Sequence, residues 1–344
     1  MTPRRALVLD AGLAVLTGLF LVGCAGHQNV LDPAGDQAAH TKDIWRLMLW
    51  VCGGMYALVM IFLGAALWRA RRALAGPPIT EGYQSGAERP MQQALVGWTC
   101  LVVVGLLVLA GGSFLVDRRL ALATTDHALK IKITGSQWWW KVEYQDPVAG
   151  DQVTTANELH LPVNRPAVIE LNAQDVIHSF WVPNLAGKED LIPGRTNYLV
   201  LNPRRIGVYR GQCAEFCGLQ HAQMALDATV ESPAAFEAWR QAQLQPAHQP
   251  ATDQERRGEQ VFVTGACASC HQIEGTDASG QSGPDLTHLA SRRTIAAGAL
   301  PTDRKDLLRW LHDTQEVKPG NHMPVVSLPA DQLDDLVAYL GSLK

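Results

Sequence analysis

The chain has 344 residues, long enough for two or more domains, and a formal net charge of −4. This small charge, without any run of lysine and arginine, argues against a nucleic-acid partner. The seven cysteines form no obvious disulfide framework, because three lie in or beside apolar segments and the others form two closely spaced pairs.

The amino terminus has the pattern of a secretory signal peptide over residues 1–23. Arg4 and Arg5 supply positive charge, and an apolar run follows at 11–22. The run ends in Leu-Val-Gly-Cys, which resembles the lipobox of bacterial lipoproteins. The resemblance implies cleavage before Cys24 and a diacylglyceryl group on that cysteine. A leader that is cleaved conventionally, or not cleaved, is the alternative.

Two apolar runs, at 44–68 and 93–116, predict a transmembrane hairpin over residues 24–125. Each run has the ~20 residues that cross a hydrocarbon core of ~30 Å as a helix. Arginines at positions 69, 71 and 72 follow the first run, so the connecting loop should be cytoplasmic. With an exported leader, everything after residue 117 should then face outward.

Over residues 126–240 the sequence pattern becomes that of short strands separated by turns rich in proline, glycine and asparagine. This pattern predicts an all-β Greek-key sandwich or barrel. Three consecutive tryptophans at 138–140 cannot all face the core, because neighbours on a strand point to opposite faces. At least one of them should therefore be exposed. Six stretches alternate apolar and polar residues with a period of two: 129–134, 138–144, 158–161, 167–172, 197–201 and 206–212.

The stretch 211–224 contains the densest group of candidate metal ligands. Cys213, Cys217, His221 and Met224 supply two thiolates, an imidazole and a thioether, the ligand set of copper electron-transfer sites. A mononuclear blue-copper site needs one cysteine and two histidines, so the second thiolate suggests two coppers bridged by both sulfurs. His178 is the candidate for a further imidazole. A disulfide would leave the histidine and methionine unexplained, and methionine is a poor zinc ligand.

The sequence His-Ser-Phe-Trp-Val-Pro at 178–183, together with the motif at 211–224, resembles the binuclear copper (CuA) domain of cytochrome c oxidase subunit II. The resemblance implies a cupredoxin fold. The copper ligands that it implies are the bridging thiolates of Cys213 and Cys217, the imidazoles of His178 and His221, the weak thioether of Met224 and the backbone carbonyl of Glu215.

The same resemblance implies contacts beyond the copper ions. Trp138, the first aromatic of a Gly-x-Gln-Trp-x-Trp segment, is the residue through which electrons reach the copper centre. Asp190 and Arg195 face the heme-bearing subunit I. The side chain of Glu215 reaches a magnesium ion shared with that subunit. The second span lacks the glutamate that the family often carries near its start, so a part in proton uptake is not implied.

Residues 241–251 are polar and punctuated by proline, which predicts a linker. The domain after it, 252–344, contains Cys-Ala-Ser-Cys-His, the attachment signature of c-type heme. Cys267 and Cys270 would form thioethers with the porphyrin, and His271 would bind the iron. A redox dithiol or half a zinc site are alternatives for the motif alone, but no second Cys-x-x-Cys follows.

The second axial ligand of this heme is predicted to be Met323. It is the only methionine after Met224, and its Met-Pro sequence resembles that of small cytochromes c. The adjacent His322 is the rival ligand. Helices at 255–264 and 330–340 are predicted to pack together and close an all-α cytochrome c domain.

Along its whole length the chain resembles subunit II of a caa-type cytochrome c oxidase, a multi-domain protein of the bacterial cytoplasmic membrane with copper and heme on the outer face. The resemblance implies that the c heme takes electrons from cytochrome c or an upstream respiratory complex. Copper passes them to subunit I, which reduces oxygen to water and pumps protons; subunit III is a further partner. The alternatives are the CuA subunit of a nitric oxide reductase, a quinol oxidase subunit (although these lack the copper ligands), and a membrane-tethered shuttle or copper-handling lipoprotein.

Overall fold

The structure is a computed structural model that describes residues 28–74, 88–121, 125, 127–145 and 152–344. The predicted signal peptide and Cys24 lie outside the described residues. The chain divides into two units: Gln37–Asp126 forms one, and the rest of the chain forms the other.

Two long apolar helices occupy the first of these units. Helix α1 is Asp36–Leu74 and helix α2 is Glu88–Ala121. Both are long and apolar enough to cross a membrane, and the two predicted spans lie inside them. Near the end of α1 the guanidinium of Arg72 lies 3.7 Å from the centre of the Trp68 ring, a pairing typical of an interfacial anchor.

The segment after α2 folds as a sandwich of two five-stranded sheets, here called the β domain (described residues 127–145 and 152–231). The strands are β1 Leu129–Ser136, β2 Trp139–Tyr144, β3 Val153–Ala156, β4 Glu158–Pro162, β5 Ala167–Ala173, β6 His178–Trp181, β7 Glu189–Leu191, β8 Asn197–Leu201, β9 Gly207–Cys213 and β10 Ala225–Glu231. One sheet has the strand order β3-β2-β1-β5-β8 and the other β4-β10-β9-β6-β7. In β1, Ile131 and Ile133 are buried while the alternating Lys130 and Lys132 are not, as the pattern predicts.

All six segments predicted as strands are strands, and the prediction of an all-β sandwich is confirmed. Four further strands, β3, β6, β7 and β10, were not predicted. Strands β6 and β9 pair next to each other in the second sheet, with Phe180 opposite Cys213. This pairing brings the two segments that carry copper-type ligands to one end of the sandwich.

Helix α3, Pro233–Gln243, follows the β domain and is capped by Ser232, whose hydroxyl accepts from the Ala235 N–H at 3.2 Å. Residues 244–252 then carry the chain onward without helix or strand. Within this predicted linker, Ala247 is buried and its N–H donates to the carbonyl of Glu274 at 2.9 Å. The connection is therefore held against the next domain along part of its length.

The carboxyl-terminal part, residues 252–344, is called the helical domain. Its first helix, α4, starts at a capping box in which the side chains of Thr252 and Glu255 each accept from the other residue's backbone N–H. Its last helix buries Leu333, Leu336 and Leu340, as its pattern predicts. The elements are α4 Asp253–Thr264, the two-residue strands β11 Thr294–Ile295 and β12 Leu300–Pro301, α5 Arg304–His312, α6 Thr314–Val317 and α7 Ala330–Ser342.

Candidate metal centre and cofactor cavity

Two buried cysteines form the centre of the site in the β domain. Cys213 ends β9 and Cys217 lies in the loop that follows, and their Sγ atoms are 3.8 Å apart. A disulfide would need about 2.05 Å, so these are separate thiols. His178, at the start of β6, completes a cluster whose ligand atoms all lie within 4.8 Å of one another.

Three further donors surround the sulfur pair. The Nδ1 atom of His221 is 3.7 Å from Cys217 Sγ, and the Met224 Sδ atom is 3.9 Å from the same sulfur. On the other side, the carbonyl oxygen of Glu215 lies 3.1 Å from Cys213 Sγ. The structure thus brings together all six residues that the resemblance assigns to copper.

Asp175 orients the buried imidazole of His178. Its Oδ1 accepts from His178 Nε2 at 2.8 Å, which leaves Nδ1 to face Cys213 Sγ at 4.0 Å. Burial opposes protonation of His178, but hydrogen bonds with Cys213 and Asp175 outweigh it and raise its pKa. The other oxygen of Asp175 accepts from the backbone N–H of Gln137 at 2.6 Å. A carboxylate in this position fixes the ring orientation of a metal-binding histidine.

The donor set fits copper. A thiolate–metal bond is about 2.3 Å long, so sulfurs as close as Cys213 and Cys217 can both bond to one ion. In the protein alone, the hydrogen bond between the sulfurs lowers the pKa of Cys213 to about 3 and raises that of Cys217. A metal cation in place of the shared proton would let both act as thiolates. Thioether and thiolate ligands together select copper over zinc.

Trp138 lies directly over the copper-type ligands. Its indole N–H donates to the carbonyl of Cys217 at 2.9 Å, and the side chain of Gln137 donates to the same oxygen at 2.8 Å. Gly218 permits this approach: its φ is +110°, and a Cβ there would lie 3.0 Å from the Trp138 ring.

The prediction that at least one of the three tryptophans is exposed is wrong. Trp138 is 6% exposed, Trp140 is fully buried and Trp139 is half-buried. The reason is that the β domain turns Trp138 inward over Cys217 and the helical domain covers it. The ring centroids of Trp138 and His322 are 5.2 Å apart.

A cavity of about 650 Å³ lies between the helical domain and this edge of the β domain. Cys267, Cys270, His271 and Met323 line it from one side, and Trp138 lines it from the other. Its volume is in the range of pockets that hold cofactors, ~300–1,000 Å³. The structure therefore brings the predicted heme-attachment residues to one cavity.

The chemistry of this cavity fits heme. His271 donates from Nδ1 to the carbonyl of Pro284 at 2.7 Å, which leaves the Nε2 lone pair available for a metal. Gly283 makes room for the ring, since a Cβ there would lie 2.6 Å from its Cε1. Arg292 is buried in the cavity wall, where its Nη2 donates to the carbonyl of Asp285 at 2.6 Å and its Nε lies 3.7 Å from a carboxylate oxygen of Glu158.

Met323 and His322 occupy different surroundings. Met323 is half-buried, and its carbonyl accepts from the Thr314 hydroxyl at 2.9 Å, which holds the loop at the cavity wall. His322 is exposed and packs its ring on Trp138. A histidine whose ring packs against the neighbouring domain is poorly placed as an iron ligand, which favours Met323 in that position.

The segment predicted to face a partner subunit lies on the surface. Asp190 is half-buried in β7, where its carbonyl accepts from the Asn197 side chain at 2.7 Å, and Arg195 is exposed. The exposed Phe216 and Leu219 add apolar surface beside the copper-type ligands.

Two residues of the site were missed by sequence reasoning. Asp175 stands three positions before His178, and a carboxylate near a candidate ligand is the signal that could have found it. Lys318 contacts Trp138 across 180 positions of the chain, and no local pattern indicates this.

Comparisons with known proteins agree with this division of the chain. Residues 147–231 match the family described as cytochrome C oxidase subunit II, periplasmic domain, and residues 255–344 match the family described as cytochrome c. The first family implies copper and the second implies heme.

Relatives match nearly the full length. A cytochrome c oxidase subunit 2 from Alkalihalophilus pseudofirmus is 32% identical over 96% of both chains, and one from Bacillus subtilis is 28% identical over 96% of both. Among solved structures, the periplasmic domain of subunit II of cytochrome oxidase from Bradyrhizobium japonicum is 32% identical, covering 33% of this chain and 91% of its own, with a TM-score of 0.31. The chain belongs to the cytochrome c oxidase subunit II family, in the form that carries a cytochrome c domain at its carboxyl terminus.

Proposed function

We propose that this chain receives electrons on a covalent c heme and passes them through a binuclear copper centre to subunit I of a caa-type oxidase. The observation that carries the proposal is the buried pair of Cys213 and Cys217, with imidazole, thioether and carbonyl donors on both sides. Beside it lies the cavity lined by a Cys-x-x-Cys-His motif.

The six donors would together hold two copper ions. Both thiolates would bridge the ions, with His178 and Met224 fully buried and His221 nearer the surface. Bound there, the copper pair supplies one-electron transfer with the charge shared between two ions. The ligands come from the ends of β6 and β9 and from the loop between β9 and β10. Those strands belong to one hydrogen-bonded sheet, which fixes the backbone positions of His178 and Cys213.

In the helical domain, Cys267 and Cys270 would form thioethers with the heme, while His271 and Met323 would hold the iron axially. The hydrogen bond from His271 to Pro284 fixes the tautomer that iron requires. Axial methionine raises the reduction potential of a c heme, and surrounding apolar side chains such as Leu336 and Leu340 exclude water from it.

A short path of packed groups connects the two sites. The Trp138 ring lines the cavity and packs on His322, and its N–H donates to the carbonyl of the ligand Cys217. For this reason we propose that electrons reach the copper centre through Trp138.

The chain would act together with other subunits and with an electron donor. Asp190, Arg195 and the Glu215 side chain would contact subunit I, the last through a shared magnesium ion, and subunit III would complete the complex in the bacterial cytoplasmic membrane. The donor would be cytochrome c or an upstream respiratory complex. Oxygen reduction to water and proton pumping would take place in subunit I. The two apolar helices and the family membership support a membrane-anchored chain with its β and helical domains on the outer side.

The test is the metal and heme content of the full-length chain in detergent, combined with electron paramagnetic resonance. The expected result is two coppers per chain, a mixed-valence signal in which the unpaired electron couples to both nuclei, and one heme that stays attached under denaturing conditions. One copper with a blue-copper spectrum, or none, would refute the binuclear assignment. Oxygen consumption by the complex with subunit I, compared with nitric oxide consumption, then identifies the terminal acceptor.

A further inference from the structure

We propose that Lys318 is a positioning residue that fixes the helical domain on the β domain and so holds the heme cavity against Trp138. Its relevance to catalysis rests on the proposed function, because positioning matters for turnover only if electrons pass between the two sites.

The Lys318 ammonium is a buried link between the domains. It is 3% exposed and follows helix α6 of the helical domain. Its Nζ donates to the carbonyl of Gln223 at 2.9 Å and to that of Trp138 at 3.1 Å, both in the β domain. The third donor goes to Ala296 of its own domain at 3.2 Å. An ammonium has three N–H groups, so each has one acceptor.

Both β-domain acceptors belong to the copper site. Trp138 lies over Cys217, and Gln223 directly precedes the ligand Met224. A single side chain from the helical domain therefore holds the two segments that border the copper ligands. Burial lowers the pKa of Lys318 to about 8, so placing it here is unfavourable unless its hydrogen bonds are all made. A lysine that only stabilised the helical domain would not need carbonyls of the other domain.

Neighbouring contacts form a continuous interface around Lys318. The N–H of Ala225 donates to the carbonyl of Ala297 at 3.0 Å, and the Gln220 side chain donates to the carbonyl of Pro319 at 2.6 Å. Ala296 and Ala297 both have positive φ, 53° and 58°, which is unfavourable for alanine. A loop keeps this conformation when surrounding contacts require it, and here the contacts are with Lys318 and Ala225.

The segment that carries Lys318 also carries the predicted axial ligand. The Asn321 side chain donates to the carbonyl of Lys318 at 2.7 Å, and its Oδ1 accepts from the N–H of Met323 at 2.8 Å. Displacement of Lys318 would therefore move the cavity wall together with the domain interface.

The experiment compares Lys318→Met, which keeps the length and removes the three donors, with Lys305→Met on the exposed face of α5 as the matched control. Hydrogen exchange of the Ala225 amide in the full-length chain reports docking directly, because its acceptor is in the other domain. Lys318→Met should speed this exchange roughly tenfold or more, since hydrogen bonds to a charged group are each worth about that factor. Amides within β1 should be unchanged. Equal Ala225 exchange in native protein and Lys318→Met would overturn the proposal.

A second readout separates positioning from simple stability. The heme can be reduced by a light flash, and the transfer of its electron to copper can be followed at the copper absorption band. The transfer rate should fall about tenfold in Lys318→Met, matching the loss of docking, and should not change in Lys305→Met. Both variants should bind native amounts of copper and heme. An unchanged transfer rate in Lys318→Met would overturn the positioning role. If the native protein itself shows no heme-to-copper transfer, the proposed function fails, while Ala225 exchange still decides whether Lys318 docks the domains.

Discussion

His160 in β4 lies between two carboxylates, and its protonation should control the stability of the β domain. Its Nδ1 is 2.9 Å from Glu231 and its Nε2 is 3.6 Å from Glu158, while its ring stacks on Trp239 with centroids 4.1 Å apart. Burial opposes protonation of the imidazole, but the nearby carboxylate of Glu158 and the hydrogen bond to Glu231 outweigh it and raise the pKa of His160 from 6.5 to about 9.

This difference in pKa between unfolded and folded chain corresponds to about 3 kcal/mol of folding free energy. Because the folded-state pKa is the higher one, the stabilisation is complete below about pH 6.5 and is lost as the pH rises through about 9.

The protonation of Lys318 has the opposite effect on stability. Its pKa is lowered from 10.5 to about 8, so its unfavourable burial is felt fully below that pH and fades as the pH rises towards 10.5. The two effects partly cancel in the native protein.

A variant isolates the contribution of His160. His160→Gln keeps a polar side chain that does not titrate. The variant should be less stable than the native protein, and this difference in unfolding free energy should be about 3 kcal/mol larger near pH 6 than near pH 10. The fraction of chain that survives a brief protease pulse across a urea series measures this for the full-length protein in detergent. His312→Gln, at the exposed end of α5, is the control. A difference between His160→Gln and native protein that is the same at both pH values would refute the reasoning.

Three substitutions test the ligand and path assignments. Cys217→Ser should abolish the mixed-valence copper signal, and an unchanged signal would exclude a bridging role. Met323→Ala should change the low-spin spectrum of the c heme and lower its reduction potential, whereas an unaltered spectrum would point to His322. Trp138→Phe removes the donor to the Cys217 carbonyl; it should lower the unfolding free energy by about 1 kcal/mol and slow heme-to-copper transfer while copper content stays native.

Strand alternation predicted most of the β domain, and its failures have physical causes. Strands β3 and β7 have four and three residues and lie at the edges of their sheets, where a strand shows little alternation. Strand β6 is too short for a period, since its four residues include three that are buried in succession. Strand β10 begins directly after Met224, so its start merges with the ligand motif. In the helical domain the amphipathic pattern of α7 was long enough to predict both its position and its buried face.

The candidate site was predictable where its residues are adjacent in sequence. Cys213, Cys217 and Met224 lie within twelve residues of one another, at the end of β9 and in the loop that follows it, and their residue types alone indicate copper. At least one of the three tryptophans at 138–140 was expected to be exposed, because alternation describes a strand facing solvent and contains no information about a second domain. Asp175 and Lys318 act through contacts that exist only after β1, β6 and the helical domain have come together.

The two cofactor sites are joined through one short turn. Gln137 donates from its backbone to Asp175, which orients His178, and from its side chain to the carbonyl of Cys217. Trp138 donates to the same carbonyl and accepts from Lys318. The turn therefore contacts the candidate copper ligands on one side and the helical domain on the other. Because every one of these bonds is direct, a shift of the helical domain reaches Cys217 through Trp138, and reaches His178 through Trp138, Gln137 and Asp175. Alignment of the cavity and the geometry of the candidate copper ligands thus depend on the same few hydrogen bonds.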